Sequence, residues 1–289
     1  MKLMVMPSSI DEIKNTLNYC DAYLIGINGF SVSMNLCVDI NDIKLLKDII
    51  GNKELFISMN KNMTNYDIDK VKDIMIKLND YNIKGLFYYD VGIVNIYSSI
   101  ESNYDLVWAS NHATTNYNTI NYWSKFGIKY ALISSDITVN EVIDIRNNTD
   151  ISMIVPIFGY QSMFNSKRHI IKNYLDFFNL DDNSNINYME KEGNIYPIID
   201  NELGTSVYTN YILNGIMEYN NYKSKSIDYV LLNSFNIETG KFIDVLKTIN
   251  DITDDNIDGS CKYINSLFSN LSTGFMYKET IARVKKNEK

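Results

Sequence analysis

The sequence predicts an α/β protein of the (β/α)8 TIM-barrel type, and two observations carry that prediction. Short apolar, β-branched runs alternate with segments of helical apolar spacing eight times, at steps of roughly 25 to 35 residues, and alternation of this kind builds a parallel sheet. Eight units favour a closed barrel over an open doubly wound sheet. No GxGxxG or GxxxxGK(S/T) sequence follows any of the runs, so nothing supports the nucleotide-binding forms of the open sheet.

The first strand is Lys2 to Met6, ended by Pro7, with Ser8 or Ser9 placed to cap a helix carrying Ile10, Ile13 and Leu17. Ala22 to Ile27 is the second strand, followed by a polar loop and a helix from about Asn41 to Ile50. Glu54 to Met59 is the third, and its helix, Tyr66 to Leu78, sets Ile68, Val71, Ile74, Met75 and Leu78 on one face. Lys84 to Tyr89 is the fourth strand, with Asp90 at its end. The unit repeats with strand Tyr104 to Ala109, helix Thr119 to Phe126, strand Ile128 to Ile133 and helix Val139 to Ile145. Ile151 to Phe158, apolar throughout, reads as a seventh strand buried on both faces. From about Gln161 the period changes: Met163, Phe164, Ile170, Ile171, Tyr174, Leu175 and Phe178 predict a helix that buries one face. Asn187 to Asn210, with Gly193, Pro197 and Gly204, reads as an inserted hairpin or loop, so that an insertion at about 161–210 interrupts the barrel after strand seven. A helix near Ile212 to Tyr219, a last strand Asp228 to Leu232 and a helix from Gly240 to Ile249 complete a barrel over residues 1–256. Residues 257–289 form a C-terminal extension ending in Arg283, Lys285, Lys286 and Lys289.

Composition narrows the function. At 289 residues, 45% hydrophobic and 21% charged, the chain is of ordinary globular make-up. A formal charge of −8 argues against broad non-specific nucleic-acid binding, though not against a local basic site. No apolar run approaches a membrane span and the N-terminus lacks a signal-peptide core, so the expected location is the cytoplasm, with no membrane. Cys20, Cys37 and Cys261 form no CxxC pair and read as free thiols, and no metal site is expected. Asn, Ile, Lys and Tyr are abundant everywhere, so Asn carries little weight as a turn signal and the 22 tyrosines none as stacking platforms.

Barrel chemistry sits where strands end, which here gives Asn28, Asn60, Asp90, Asn111, Asp136, Tyr160 and Asn233. Asp90 and Asp136 are the carboxylates of that set, a residue type suited to acid–base work. His112 and His169 are the only histidines, and without a GxSxG motif or other recognisable nucleophile a hydrolytic triad has little support. His112 reads as a loop residue at a strand end. Ser166-Lys167-Arg168-His169 is the densest cationic spot in an acidic chain; following a buried strand, it stands where an α/β protein receives an anion.

Phe158-Gly-Tyr-Gln-Ser-Met-Phe-Asn-Ser-Lys-Arg-His-Ile-Ile-Lys-Asn-Tyr174 resembles the signature region of the peptidase U32 (collagenase-like protease) family. The short, Bacillus-type members carry a similar GxxxMFxS(K/R)R stretch followed by Asn-Tyr. Thr115-Asn116 with Asn121-Tyr122-Trp123, Ala131 to Glu141, Tyr196 to Asp200, and Ser272 to Ile281 are similar to further family elements, so the likeness runs over nearly the whole chain. The resemblance implies a (β/α)8 barrel. It also implies a part in 5-hydroxyuridine formation at the tRNA wobble position, alongside a longer, cysteine-bearing paralogue. Better-understood relatives hydroxylate with an iron–sulfur cluster held by four cysteines. This chain has Ser162 and His169 where those relatives place cysteines, and Ser135-Asp136 where many have Arg-Glu. With three scattered cysteines it lacks that ligand set and is expected to bind no cofactor itself. The leading expectation is therefore a cluster-free partner subunit, with tRNA and the paralogue as partners. Its alternatives are a peptidase of collagen-like or unstructured chains and a non-catalytic structural partner. Asp136 is the expected catalytic residue; Lys167, Arg168, Ser166, Asn116, Asn111 and Tyr160 are the expected substrate- or anion-binding set, meeting RNA phosphate or a carboxylate.

Overall fold

The structure, a computed structural model, describes residues 1–110, 112–181 and 184–278. Eight parallel strands close on themselves: β1 (Lys2–Met6), β2 (Ala22–Ile27), β3 (Glu54–Met59), β4 (Gly85–Tyr88), β5 (Asp105–Trp108), β6 (Ile128–Leu132), β7 (Ser152–Gly159) and β8 (Tyr229–Asn233). Each pairs in parallel with the next, and β8 joins β7 on one side and β1 on the other. Every residue of β2, β4 and β8 is buried, as strands sandwiched between a filled interior and a layer of helices must be.

The sequence encodes the helices by local rules. Ser9 caps helix Ile10–Thr16, accepting from the Glu12 N–H at 3.0 Å, and Thr138 and Glu141 form a reciprocal capping box on helix Val139–Asn147. Helix Ile68–Leu78 turns Val71, Ile74, Met75 and Leu78 inward, the expected face. Two apolar layers result, one between strands and helices and a smaller one inside the barrel. At the centre of the inner layer Phe56 meets Phe87, Tyr130 and Tyr229 edge to face, with centroids 5.8, 5.7 and 5.5 Å away. The barrel is therefore solid below its mouth, and a ligand has access only at the strands' C-terminal ends.

Four expectations are corrected after β7. Residues 161–166 do not begin a helix. Ser162–Ser166 is a strand, and the helix is confined to Ile170–Phe178. The apolar spacing of Met163 and Phe164 fits either structure, and the choice falls to Gly204–Tyr208, a partner some forty residues on that supplies an antiparallel ladder. With Asn187–Lys191 and Asn194–Asn201 these form a four-stranded antiparallel sheet, so the expected hairpin or loop is a sheet. Helix Ile170–Phe178 leans on that sheet but buries none of its residues, contrary to the expected buried face. Finally, Ile212–Asn214 is a strand antiparallel to the end of β7; a 3-10 turn at Ile216–Glu218 follows, and α-helix begins at Tyr219. The chain leaves β7 at Gly159, where φ is +107° and a Cβ would run into the Asn233 carbonyl, so this exit requires glycine. Beyond the barrel, helix Ile257–Leu267 leads to the short strand Leu271–Ser272, which extends the sheet beside Ile212–Leu213. Arg283, Lys285, Lys286 and Lys289 lie outside the described residues, as does Asn111.

Candidate functional site

Most of the polar crown at the strand ends is engaged in holding loops. Asn60 bonds both backbone groups of Val32, its Oδ1 accepting at 2.9 Å and its Nδ2 donating at 3.1 Å. Asp90 accepts from the Met63 and Gly92 N–H groups, both at 2.8 Å, which leaves it a loop anchor rather than half of a carboxylate pair. Asn28 donates to Asp39, and Asn233 donates to the Tyr160 carbonyl while accepting from Asn35. Uncharged amides do this work because they satisfy buried donors and acceptors without the cost of desolvating a charge.

Within this collar are two connected spaces. A cavity of about 80 Å3 sits on the barrel axis above Phe87, with Ser58, Tyr160, Tyr208 and Asn233 around it. A groove of about 660 Å3 opens beside it, between the loops after β2, β3 and β4 and the inserted sheet. Asn60, Ala109 and His112 belong to the walls of both.

Asp136 is at this junction through its partner. Its Oδ2 lies 2.9 Å from Nδ1 of His112, a contact between loops that follow β5 and β6. The Asp136 N–H donates to Oγ of the buried Ser134, whose own N–H donates to the Thr114 carbonyl; the Thr114 hydroxyl donates to the Ser110 carbonyl. The two loops are thus cross-tied under the pair. A carboxylate on Nδ1 fixes the imidazole tautomer and leaves Nε2 as the exchangeable position, an arrangement able to take and return a proton. In sequence His112 reads only as a loop residue; 24 positions separate it from Asp136, and no local signal joins them.

The Ser166–His169 segment is not on a helix but forms the turn from strand Ser162–Ser166 into helix Ile170–Phe178. Thr205 holds it, its hydroxyl donating to the Arg168 carbonyl and accepting from the Ile170 N–H, each at 2.8 Å. Ser166 Oγ accepts from the Arg168 N–H at 3.2 Å. His169 is drawn away by Asp200, whose Oδ1 lies 2.9 Å from Nδ1 and whose Oδ2 accepts from the Lys172 N–H. The two cations therefore part: Ser166 and Lys167 line the groove, whereas Arg168 is exposed and outside it. Asn116 caps helix Tyr117–Ser124, accepting from the Thr119 N–H at 2.9 Å, so its side chain oxygen already has a structural partner. Tyr160 faces the small cavity with its hydroxyl accepting from Asn270 at 2.9 Å, and burial raises its pKa.

The cysteines do not fit a four-thiolate cluster. They lie in three separate places, just before β2, in strand Cys37–Val38 and in helix Ile257–Leu267. Burial pushes the Cys20 and Cys37 thiols up to about 11, so both are held as neutral thiols in the folded chain. Ser162 bonds Ser33, and His169 is occupied by Asp200.

The fold and site define a class: a (β/α)8 barrel whose mouth is walled on one side by a sheet inserted after β7. Within that class the model of peptidase family U32 matches residues 9–215, and the chain belongs to that family. Among curated relatives it is similar to tRNA hydroxylation protein P2 of Bacillus subtilis (strain 168), 20% identical over 97% of this chain and 98% of that protein. It is also similar to tRNA hydroxylation protein P1 of the same organism, 18% identical over 60% of this chain and 42% of that protein. Among solved structures the U32 peptidase Mk0906 superposes with a TM-score of 0.51 at 10% identity, covering 81% of this chain and 92% of that one, a likeness of fold.

Proposed function

We propose that this chain takes part in the 5-hydroxylation of the tRNA wobble uridine, as a component that carries no cluster and works with a cysteine-bearing U32 paralogue in the cytoplasm. The observation that carries this reading is the end-to-end likeness to tRNA hydroxylation protein P2, which leaves no large part of either chain unmatched. The geometry agrees with it. The mouth offers a roomy groove with Lys167 on one wall and the His112–Asp136 pair at its inner end. The cysteines suit no four-thiolate cluster, so the redox chemistry falls to the partner. Here Lys167 and Ser166 meet an RNA phosphate, and His112, oriented by Asp136, handles a proton beside the reacting base. Arg168, outside the groove, serves the flanking RNA or the paralogue. Among the described residues no serine or cysteine is hydrogen-bonded to His112, which weighs against the peptidase reading. No helix among the described residues is long and apolar enough to cross a membrane.

Nucleoside mass spectrometry of tRNA from a strain lacking this chain tests the reading. Wobble 5-hydroxyuridine is expected to fall and to return on complementation, and unchanged modification would refute the proposal. Co-purification of the paralogue with the tagged chain is expected alongside.

A further inference from the structure

We propose that the groove beside the barrel mouth is a slot for one unpaired pyrimidine nucleotide, its base stacked on Tyr89 and its phosphate held by Lys167. The inference rests on the tRNA reading above and adds how the nucleotide is gripped.

The first support is a stack of rings. Tyr89 directly follows β4, is 44% exposed and lines the groove. Its ring lies along that of Trp108, with centroids 6.3 Å and planes 21° apart, and Trp108 stacks in turn on Trp123 at 4.4 Å. Trp108, itself stacked on Trp123, thus braces Tyr89 through an offset parallel contact. A pre-oriented ring opening on a groove is a platform for a base.

Size and charge select the ligand further. About 660 Å3 holds a nucleotide, whereas a duplex does not enter a space of that volume. Of the two groove lysines, Lys61 is already paired with Asp67 at 3.0 Å. Lys167 Nζ has no bonded partner among the described residues, and it sits on the wall contributed by the inserted sheet. Among the described groove residues Lys167 is the one lysine left unpaired, with Glu202 the one carboxylate left unpaired, a balance that suits at most one phosphate and not a tract of them. The remaining polar wall combines the carboxylate of Glu202 and several hydroxyls with amides. Asn165 Oδ1 accepts from Ser33 and Ser206, both at 2.6 Å, which fixes the amide and leaves its Nδ2 donor unused; the Asn62 amide is also unengaged among the described residues. Amide donors of this kind match the carbonyl oxygens on a pyrimidine edge.

The test titrates the full chain into a labelled RNA stem–loop with an unpaired pyrimidine loop and into a fully paired RNA of equal length, followed by fluorescence anisotropy. The stem–loop is expected to bind at least about tenfold more tightly than the duplex. Tyr89→Ala and Tyr89→Leu should each weaken it about tenfold, while Tyr89→Phe, which keeps the ring, stays within about twofold. Lys167→Ala should reduce the slope of log affinity against log salt by about 0.7, the share of one phosphate on a single strand. Absence of binding, equal binding of the duplex, unchanged affinity in both ring-less variants, or displacement of the RNA by an unstructured peptide would overturn the slot. If the deletion strain loses wobble hydroxylation but the Tyr89 variants bind normally, the slot falls and the proposed function stands. If hydroxylation persists while binding depends on Tyr89, the slot stands and the proposed function falls.

Discussion

Asp136 and His112 form a pair 2.9 Å apart whose members come from different loops, and the role of each follows from the other. A carboxylate alone at a barrel mouth is a weak acid in water; against Nδ1 it becomes the support of an imidazole. Asp136→Asn and His112→Gln are both expected to lower wobble hydroxylation at least about tenfold, the usual scale for losing an acid–base group. Thermal unfolding should shift by little, because both side chains are about half exposed. Nucleoside mass spectrometry and a melting curve on the same variants check the two halves of that statement. Of this pair only Asp136 was legible in the sequence, as a carboxylate at a strand end. His112 gains its meaning from a neighbour 24 residues away that only the barrel brings near. Buried acids make a second prediction. Burial holds the Cys20 and Cys37 thiols at about 11 and raises the Tyr104 hydroxyl to about 12. The unfolded chain releases these protons at ordinary values, near 8.5 and 10. Between about pH 8.5 and 12 the folded state therefore binds more protons than the unfolded one, and stability is present below that window and declines as pH rises through it. Melting temperatures measured across this range should fall steadily, and a flat profile would contradict the assignment.

Among the elements, the insertion after β7 is where sequence reasoning and structure diverge most, for a physical reason. Met163 and Phe164 extend the three- and four-residue apolar spacing of the following helix, so the local pattern favours helix. The strand arises from ladder bonds with Gly204–Tyr208, a long-range partner that a periodicity argument does not contain. The exposed face of helix Ile170–Phe178 has the same origin: amphipathic spacing is visible locally, but what covers the apolar side is not. Gly204 is the pivot of this pairing. Its φ is +113°, and a Cβ would collide with the Ser166 carbonyl beside Lys167. Gly204→Ala is expected to cost about 1–3 kcal/mol locally, loosening residues 162–208 while the barrel stays folded. Limited proteolysis should then cut the inserted sheet first, with far-ultraviolet circular dichroism little changed.

For the whole molecule, the eight barrel strands were readable because nearly all of their residues are buried and most announce themselves as short, predominantly apolar runs. Closure followed from the count of units, while the identity of the interior contacts did not. Phe56 is the residue on which that interior converges, with three aromatic neighbours at edge-to-face distance. Phe56→Ala should cost about 3–5 kcal/mol and lower the melting temperature by roughly 10 °C for a chain of this size. Calorimetry would measure it, and a shift of only a degree or two would mean the interior repacks around the gap. The inserted sheet hangs from the barrel at two closely spaced points, the exit at Gly159 and the return at Ile212–Leu213, which pair with each other. One flank of the mouth is consequently an attachment that begins and finishes at the same spot on the scaffold. Its inner strand is keyed into the core by Tyr208, stacked on Phe235 at 3.9 Å, whereas its outer strand Asn187–Lys191 stands almost wholly in solvent, so the far side of this graft can be resurfaced between descendants without touching the closed ring beneath it.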